Sequence, residues 1–300
     1  LQNILRRIKR RFEMFRVGML GTENSHALAF AKEICLKEEY KDFKITAFYA
    51  LEKAPSEAII EKCDITGAVI VEDPLEMMDL VDCVIVTNRH GKYHESCALP
   101  FIEKGKPAFI DKPFTIDPAE ARNILRTAKE KNVPITGGSG CKYSPQILEL
   151  RKLVEENAFG KIYSAVMNFP ASTQSEYGGL YFYASHLVEM TLAVYGMDML
   201  AVSAFINNGH ITTIAHYDKY DITMQFAASK KYASVIYGET DVDVRYLDMS
   251  SIFTVEFNHF VHMVRTGKSP LSDDELLMPV LVMNAIEKSL ELKKTVKIDR

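Results

Sequence analysis

Tryptophan is absent from the chain, and the five cysteines (Cys35, Cys63, Cys83, Cys97 and Cys141) never form a C-x-x-C pair. An odd, scattered set argues against a disulfide framework or a structural zinc site and fits a reducing cytoplasm. Neither sign of charge dominates: a formal net charge of −4 gives no general attraction to nucleic acid. No apolar run approaches the roughly 18 residues that a membrane-spanning helix needs. Internal repeats, low-complexity tracts and Gly/Ser linkers are also lacking. What is present is 47% hydrophobic content over 300 residues, enough to bury two ordinary domains.

Residues 1–13 concentrate basic charge ahead of Met14 without the apolar h-region of a secretory signal. They are read as an N-terminal extension: an amphipathic helix, a targeting segment or, preferred here, sequence upstream of the true start. From Met14 onward strand and helix patterns alternate. Phe15 to Leu20 reads as a strand, 21–25 as a turn and 26–39 as a helix. Strands at 44–50 and 68–71 and a helix at 56–63 follow. Asp73-Pro74-Leu75-Glu76 caps a short helix towards Leu80. Cys83-Val84-Ile85-Val86 shows no alternation, as expected of a central parallel strand buried on both faces. A helix at 93–104, a strand ending at Asp111, a helix capped by Asp117 and a strand at 133–137 complete a doubly wound parallel sheet over 14–140.

After Gly140 the pattern changes. Helices at 145–156 and 185–195 accompany β segments at 162–169, 201–206, 211–217, 222–227 and 232–238. The links 218–221 and 229–231 are hairpin-length, so the last three strands are expected to form a meander. Helices at 251–265 and from Ser272 close the chain, the second opened by a capping box. Residues 141–300 are therefore expected to be a second, α+β domain with an open, mostly antiparallel sheet.

The chemistry gathers at Lys106-Pro107-Ala108-Phe109-Ile110-Asp111-Lys112-Pro113-Phe114, where an apolar strand ends in a carboxylate and an amine. Pro113 forces a turn that leaves Lys112 at the strand's carboxyl end, where open parallel sheets bind ligands. The first strand–helix turn, Gly21-Thr22-Glu23-Asn24-Ser25-His26, keeps the first glycine of a G-x-G-x-x-G fingerprint but places Glu23 and His26 at the other two positions. A helix N-terminus with Asn24 and Ser25 still presents N–H groups to a phosphate. Glu52, just past the second strand, is placed to meet an adenosine ribose.

Together these stretches resemble the Gfo/Idh/MocA family of nicotinamide-dependent oxidoreductases. Val86-Thr87-Asn88-Arg89-His90-Gly91-Lys92-Tyr93-His94 is similar to its T-P-N-x-x-H stretch, and Glu103 to Pro113 to its E-x-G-K-x-V-x-x-E-K-P stretch. The similarity continues through Gly137 to Pro145, Phe159 to Ile162 and Phe260 to Pro270. It implies a Rossmann domain binding NAD or NADP, and a second domain whose open sheet serves a sugar-like or polyol substrate and a homo-oligomer interface. It implies that Lys112 contacts substrate oxygen and nicotinamide, and that Asp111, Thr87, Asn88, Arg89, His90 and His94 line the cofactor. Phe182-Tyr183-Ala184-Ser185-His186-Leu187-Val188-Glu189 matches D-x-G-x-H-x-x-D at His186 and Glu189, with Phe182 in place of the first aspartate.

A histidine titrating near neutrality is an apt proton acceptor for a carbinol. With the acid missing, Tyr181 or Tyr183 is expected to support His186, and Tyr183 also to meet substrate. Glu256, His259 and His262 at three-residue spacing fan around a helix, so no metal is assigned. The expected activity is hydride transfer between NAD(P) and a small hydroxy or carbonyl compound. The departures at Glu23, at Ala50 (where the ribose-binding acid would end the second strand) and at Phe182 define the rival, a non-catalytic sugar-binding or regulatory relative; chemistry with a tightly held nicotinamide as transient oxidant is the third reading.

Overall fold

Six parallel strands form the first sheet of the computed structural model, which describes residues 14–229 and 231–300. They are β1 (Phe15–Leu20), β2 (Phe43–Tyr49), β3 (Val69–Ile70), β4 (Cys83–Val86), β5 (Ala108–Asp111) and β6 (Ile135–Gly138), in the order β3-β2-β1-β4-β5-β6. The order reverses between β1 and β4, which opens a crevice at their carboxyl ends. The expected extension, residues 1–13, lies outside the described residues. β4 and β5 are buried at every position, in keeping with their unbroken apolar runs.

Helices α1 (Ser25–Leu36), α2 (Lys53–Lys62), α3 (His94–Glu103) and α4 (Pro118–Lys131) connect these strands. Asn24 caps α1 by accepting the His26 N–H, and Asp117 caps α4 by accepting that of Ala119. The helix expected after Asp73 is only a 3₁₀ turn, Pro74–Met77. Its cap forms, but Met77 is fully buried and the chain must reach β4 at Cys83, which leaves no room for further turns.

The second sheet contains β7 (Ile162–Phe169), β8 (Ala201–Asn207), β9 (His210–His216), β10 (Asp221–Phe226), β11 (Tyr232–Gly238), β12 (Val242–Leu247) and β13 (Val296–Lys297). Its order is β12-β11-β7-β10-β9-β8-β13. The hairpins β8–β9 and β9–β10 are antiparallel. The expected meander stops there: β10 and β11 are not neighbours, because β7 lies between them, parallel to β10 and antiparallel to β11. A short link permits a hairpin without requiring one, and β7, returning through a long connection, takes the edge of β10.

Strand β12 escapes a periodicity search because its inward residues are charged. Arg245 Nε donates to Asp243 at 2.7 Å and its Nη1 to Glu149 at 2.9 Å, while Val242, Val244 and Tyr246 face outward.

Helices α5 (Pro145–Glu155) and α6 (Tyr181–Tyr195) and the long α8 (Asp273–Leu292) cover the inner face of the second sheet. α6 is buried almost all round, as its apolar sequence demands. The remaining helix, α7 (Ile252–Thr266), returns to the first sheet. Phe257 and Phe260 pack there among Phe30, Phe43 and Phe109, and Arg265 holds Asp42 at 2.6 Å. β6 ends at Gly138 and β7 begins at Ile162, whereas α7, from the second half of the chain, joins the core of the first sheet.

Candidate active site

The ends of β1 and β4 are locked together. Thr87 donates its N–H to the Leu20 carbonyl at 2.8 Å and its hydroxyl to the Leu20 and Gly21 carbonyls at 3.1 Å. Gly21 has φ +78°, and a Cβ there would lie 2.2 Å from the Asn88 nitrogen, so the close approach requires glycine. Glu23 Oε1 accepts from Asn88 Nδ2 and the Arg89 N–H, both at 3.4 Å. Glu23 Oε2 and Asn88 Oδ1 are buried without a partner among the described residues.

His94 is fully buried between the Asn88 and Phe114 carbonyls, at 2.8 and 3.3 Å from its ring nitrogens, and works as a strut. Arg89 reaches away from the turn to the Tyr177 hydroxyl at 2.8 Å and lies 5.0 Å over that ring. His90 accepts the Lys92 N–H at 3.3 Å. Thr22 hydrogen-bonds Ser56 at 2.7 Å within the core, whereas Ser25 and Glu52 are exposed at the starts of α1 and α2.

At the end of β5, Asp111 is completely buried. It accepts from Asn24 Nδ2 at 3.2 Å and pairs with His26 Nδ1 at 2.9 Å. Burial alone would raise its pKa, but His26 and then Lys112 hold it below the ordinary carboxylate value. The residue that broke the glycine fingerprint thus supplies the partner of the expected cofactor acid. Lys112 Nζ donates to the Phe182 carbonyl at 3.0 Å and lies 4.3 Å over the Phe182 ring and 5.6 Å over Tyr183. Burial pushes its pKa down, with Asp111 opposing. Phe182, standing where the resembled motif has an acid, therefore caps the amine with a carbonyl and an aromatic face.

From the second half of the chain α6 contributes His186, 6% exposed. Its Nδ1 is 2.7 Å from Ser139 Oγ and 3.4 Å from Cys141 Sγ, and its ring packs between Phe169 and Tyr183. Burial, with the Lys112 and His26 charges, holds its pKa well below the usual value. Of the two tyrosines expected to support His186, Tyr181 donates instead to Glu287 at 3.0 Å, because α6 turns that face towards α8. The half-exposed Tyr183 packs its ring, tilted by 59°, against that of His186 with the centroids 5.7 Å apart.

Glu189 does not meet His186 either. It forms a buried ion pair with Lys142 at 2.9 Å and accepts the Ser139 N–H at 2.7 Å. Gly138, at φ +85°, makes room, since a Cβ there would lie 2.4 Å from the Glu189 carboxylate.

These elements are matched in other proteins. Residues 15–139 fit the family model described as "Oxidoreductase family, NAD-binding Rossmann fold" (GFO_IDH_MocA). The scyllo-inositol 2-dehydrogenase (NADP(+)) IolW of Bacillus subtilis is 23% identical over 244 residues, covering 77% of this chain and 64% of that protein. The D-xylose 1-dehydrogenase (NADP(+)) of Hypocrea jecorina is 29% identical over 107 residues, covering 35% of this chain and 27% of that protein. The matches therefore span less than two thirds of these curated relatives. In fold, scyllo-inositol dehydrogenase from Lactobacillus casei, solved with NAD(H) and scyllo-inositol, superposes with a TM-score of 0.81 at 14% identity, over 95% of this chain and 98% of that one.

Residues 15–139 thus match the Gfo/Idh/MocA family of oxidoreductases.

Within this match the chain is divergent at its phosphate turn, yet the residues present fit a dinucleotide. Gly21 keeps the turn tight, the N-terminus of α1 offers N–H groups to phosphate, and the orphaned Glu23 Oε2 and Asn88 Oδ1 are acceptors suited to ribose hydroxyls or an amide. Sequence reasoning gave no role to Ser56, Ser139 or Cys141. Ser139 and Cys141 lie in the resembled stretch Gly137 to Pro145, but their contacts arise across the fold. His26 did carry a signal, being a large titratable side chain at a position meant for a small one.

Proposed function

We propose that this protein is an NAD(P)-dependent oxidoreductase that moves a hydride between a nicotinamide and a sugar-like or other small hydroxy or carbonyl compound. The observation that carries this reading is that Lys112, at the carboxyl end of β5, and His186 of α6 are both buried and both pack against Tyr183. A bound nicotinamide supplies the hydride chemistry. On the protein side, residues 14–140 hold the nucleotide through Gly21, Thr22, Glu23, Asn24, Ser25, Asn88, Arg89, His90 and Asp111, with Glu52 towards the adenosine end. Residues 141–300 present Tyr183 and His186 to substrate. Lys112 stabilises developing charge on the substrate oxygen, and His186 meets the same oxygen. The inositol and xylose dehydrogenases among its relatives support a polyol or sugar.

Five free thiols support a reducing, cytoplasmic setting. The outward face of β11 and β12 supports a homo-oligomer through the second sheet. The test is a fluorescence titration with NADH and NADPH, free of tryptophan interference, on wild type, Lys112→Ala and His186→Ala. All three should bind at least one nucleotide. With a panel of inositols and pentoses, both variants should then lose about 10²–10⁴-fold in rate. No saturable binding at millimolar nucleotide would sink the proposal.

A second reading draws on the closure of Lys112 by Phe182: a relative that binds sugar without turnover. It predicts that a sugar or cyclitol from the panel stabilises the fold while no nucleotide does.

A further inference from the structure

We infer that Ser139 is a positioning residue whose hydroxyl donates to Nδ1 of His186, holding the ring in the tautomer that carries its proton on Nε2. Ser139 Oγ already accepts the Cys141 N–H at 3.1 Å, so its own hydrogen needs an acceptor. The residue is fully buried, and Nδ1 at 2.7 Å is the strong acceptor within reach. Cys141 Sγ, 3.4 Å from the same nitrogen, is a weak acceptor, and burial pushes its thiol up to about 12, keeping it an S–H donor. The reverse tautomer would leave the Ser139 hydroxyl hydrogen buried with no oxygen or nitrogen to receive it, which is costly.

Because burial and the nearby Lys112 and His26 charges keep the ring neutral, one nitrogen donates while the other accepts. Nε2 has no hydrogen-bond partner among the described residues, and it is the donor.

Resting on the hydride-transfer reading above, this divides the labour at the substrate oxygen. His186 keeps its proton and hydrogen-bonds the oxygen throughout, as a neutral electrophile. In the direction that reduces a carbonyl, the Lys112 ammonium stabilises the charge developing on the oxygen and gives it a proton as the carbon takes up the hydride, leaving the neutral amine; in the reverse direction that amine takes up the hydroxyl proton as the carbon gives up its hydride. The histidine is then a donor where the motif alone suggested an acceptor. Ser139 takes over the orienting task that an acid at position 182 has in the resembled pattern.

The test reads the tautomer directly, by long-range ¹H–¹⁵N correlation spectra of full-length protein labelled with ¹⁵N-histidine, the His186 signals being assigned with His186→Gln. Wild type should show the Nε2–H pattern. Ser139→Ala should lose it, giving a mixture of tautomers or the Nδ1–H form, while Ser139→Thr restores it and Cys141→Ala leaves it in place. An Nδ1–H pattern in wild type, or a Ser139→Ala spectrum unchanged at His186, overturns the proposal. Should Ser139→Ala fail to fold, the wild-type and threonine patterns decide. NADH titration of the same samples separates the two ideas: failure to bind nucleotide counts against hydride transfer and leaves the tautomer result standing.

Discussion

Glu256 is the residue whose surroundings depart most from its sequence context. On the helix pattern it is one of three residues at three-residue spacing; in the fold it is 2% exposed, with Oε1 lacking a partner among the described residues, close to Gly140 and to the Asp111 and Lys142 charges. His259 turns elsewhere and stacks on Tyr143 at 4.4 Å. Burial, reinforced by Asp111, raises the Glu256 pKa well above the usual carboxyl value. The native state therefore holds this proton more tightly than the unfolded chain does. Its contribution to stability is complete below the unfolded pKa of about 4.3 and is lost as pH rises towards the folded value. Glu256→Gln, which cannot ionise, is expected to become progressively more stable than wild type as pH rises from 5 towards 9. Urea denaturation midpoints across that range measure it, and parallel profiles would contradict the assignment. Asp111 has the opposite sign: its lowered pKa stabilises the fold above the unfolded carboxylate range and is lost on acidification.

Among the elements, α7 decides how the two halves of the chain act together. Its sequence reads as an amphipathic closing helix, and nothing local says which sheet receives it. The structure sends Phe257 and Phe260 into the first sheet's core, which also brings Glu256 under the site. Phe257 is fully buried among Phe30, Tyr40, Phe43 and Phe260, so Phe257→Ala should destabilise by about 3–5 kcal/mol. Chemical denaturation with near-ultraviolet tyrosine signals would check it, and a loss below about 1 kcal/mol would show that α7 is peripheral. The parallel sheet, by contrast, was legible in outline, because unbroken runs such as Cys83 to Val86 and caps such as Asn24 and Asp117 act over a few residues. β12 was not, because an Asp243–Arg245 pair occupies the face where apolar residues are sought.

At the level of the whole molecule, the second sheet has one face covered by helices and one open. Along β11 and β12 the open face carries Tyr237, Val242, Val244 and Tyr246, the last two each 69% exposed. Contiguous apolar surface of this kind marks an interaction site. If it joins copies of the chain, Val244→Glu combined with Tyr246→Glu should shift the protein to a smaller species in sedimentation velocity without altering its circular dichroism. A wild-type monomer at tens of micromolar would refute the oligomer reading.

The order of strands and helices, the placement of Lys112 at a strand end and the candidacy of His186 followed from the sequence by itself, since each depends on patterns a few residues long. Only the tertiary structure decided that β7 parts β10 from β11, that His26 pairs with Asp111 across 85 residues, that Phe182 caps Lys112, and that Ser139 meets His186 at 2.7 Å. The reason is physical. Periodicity and capping are local preferences, whereas a buried polar group takes whichever partner the packing of distant segments brings within about 3 Å, and it cannot be left without one.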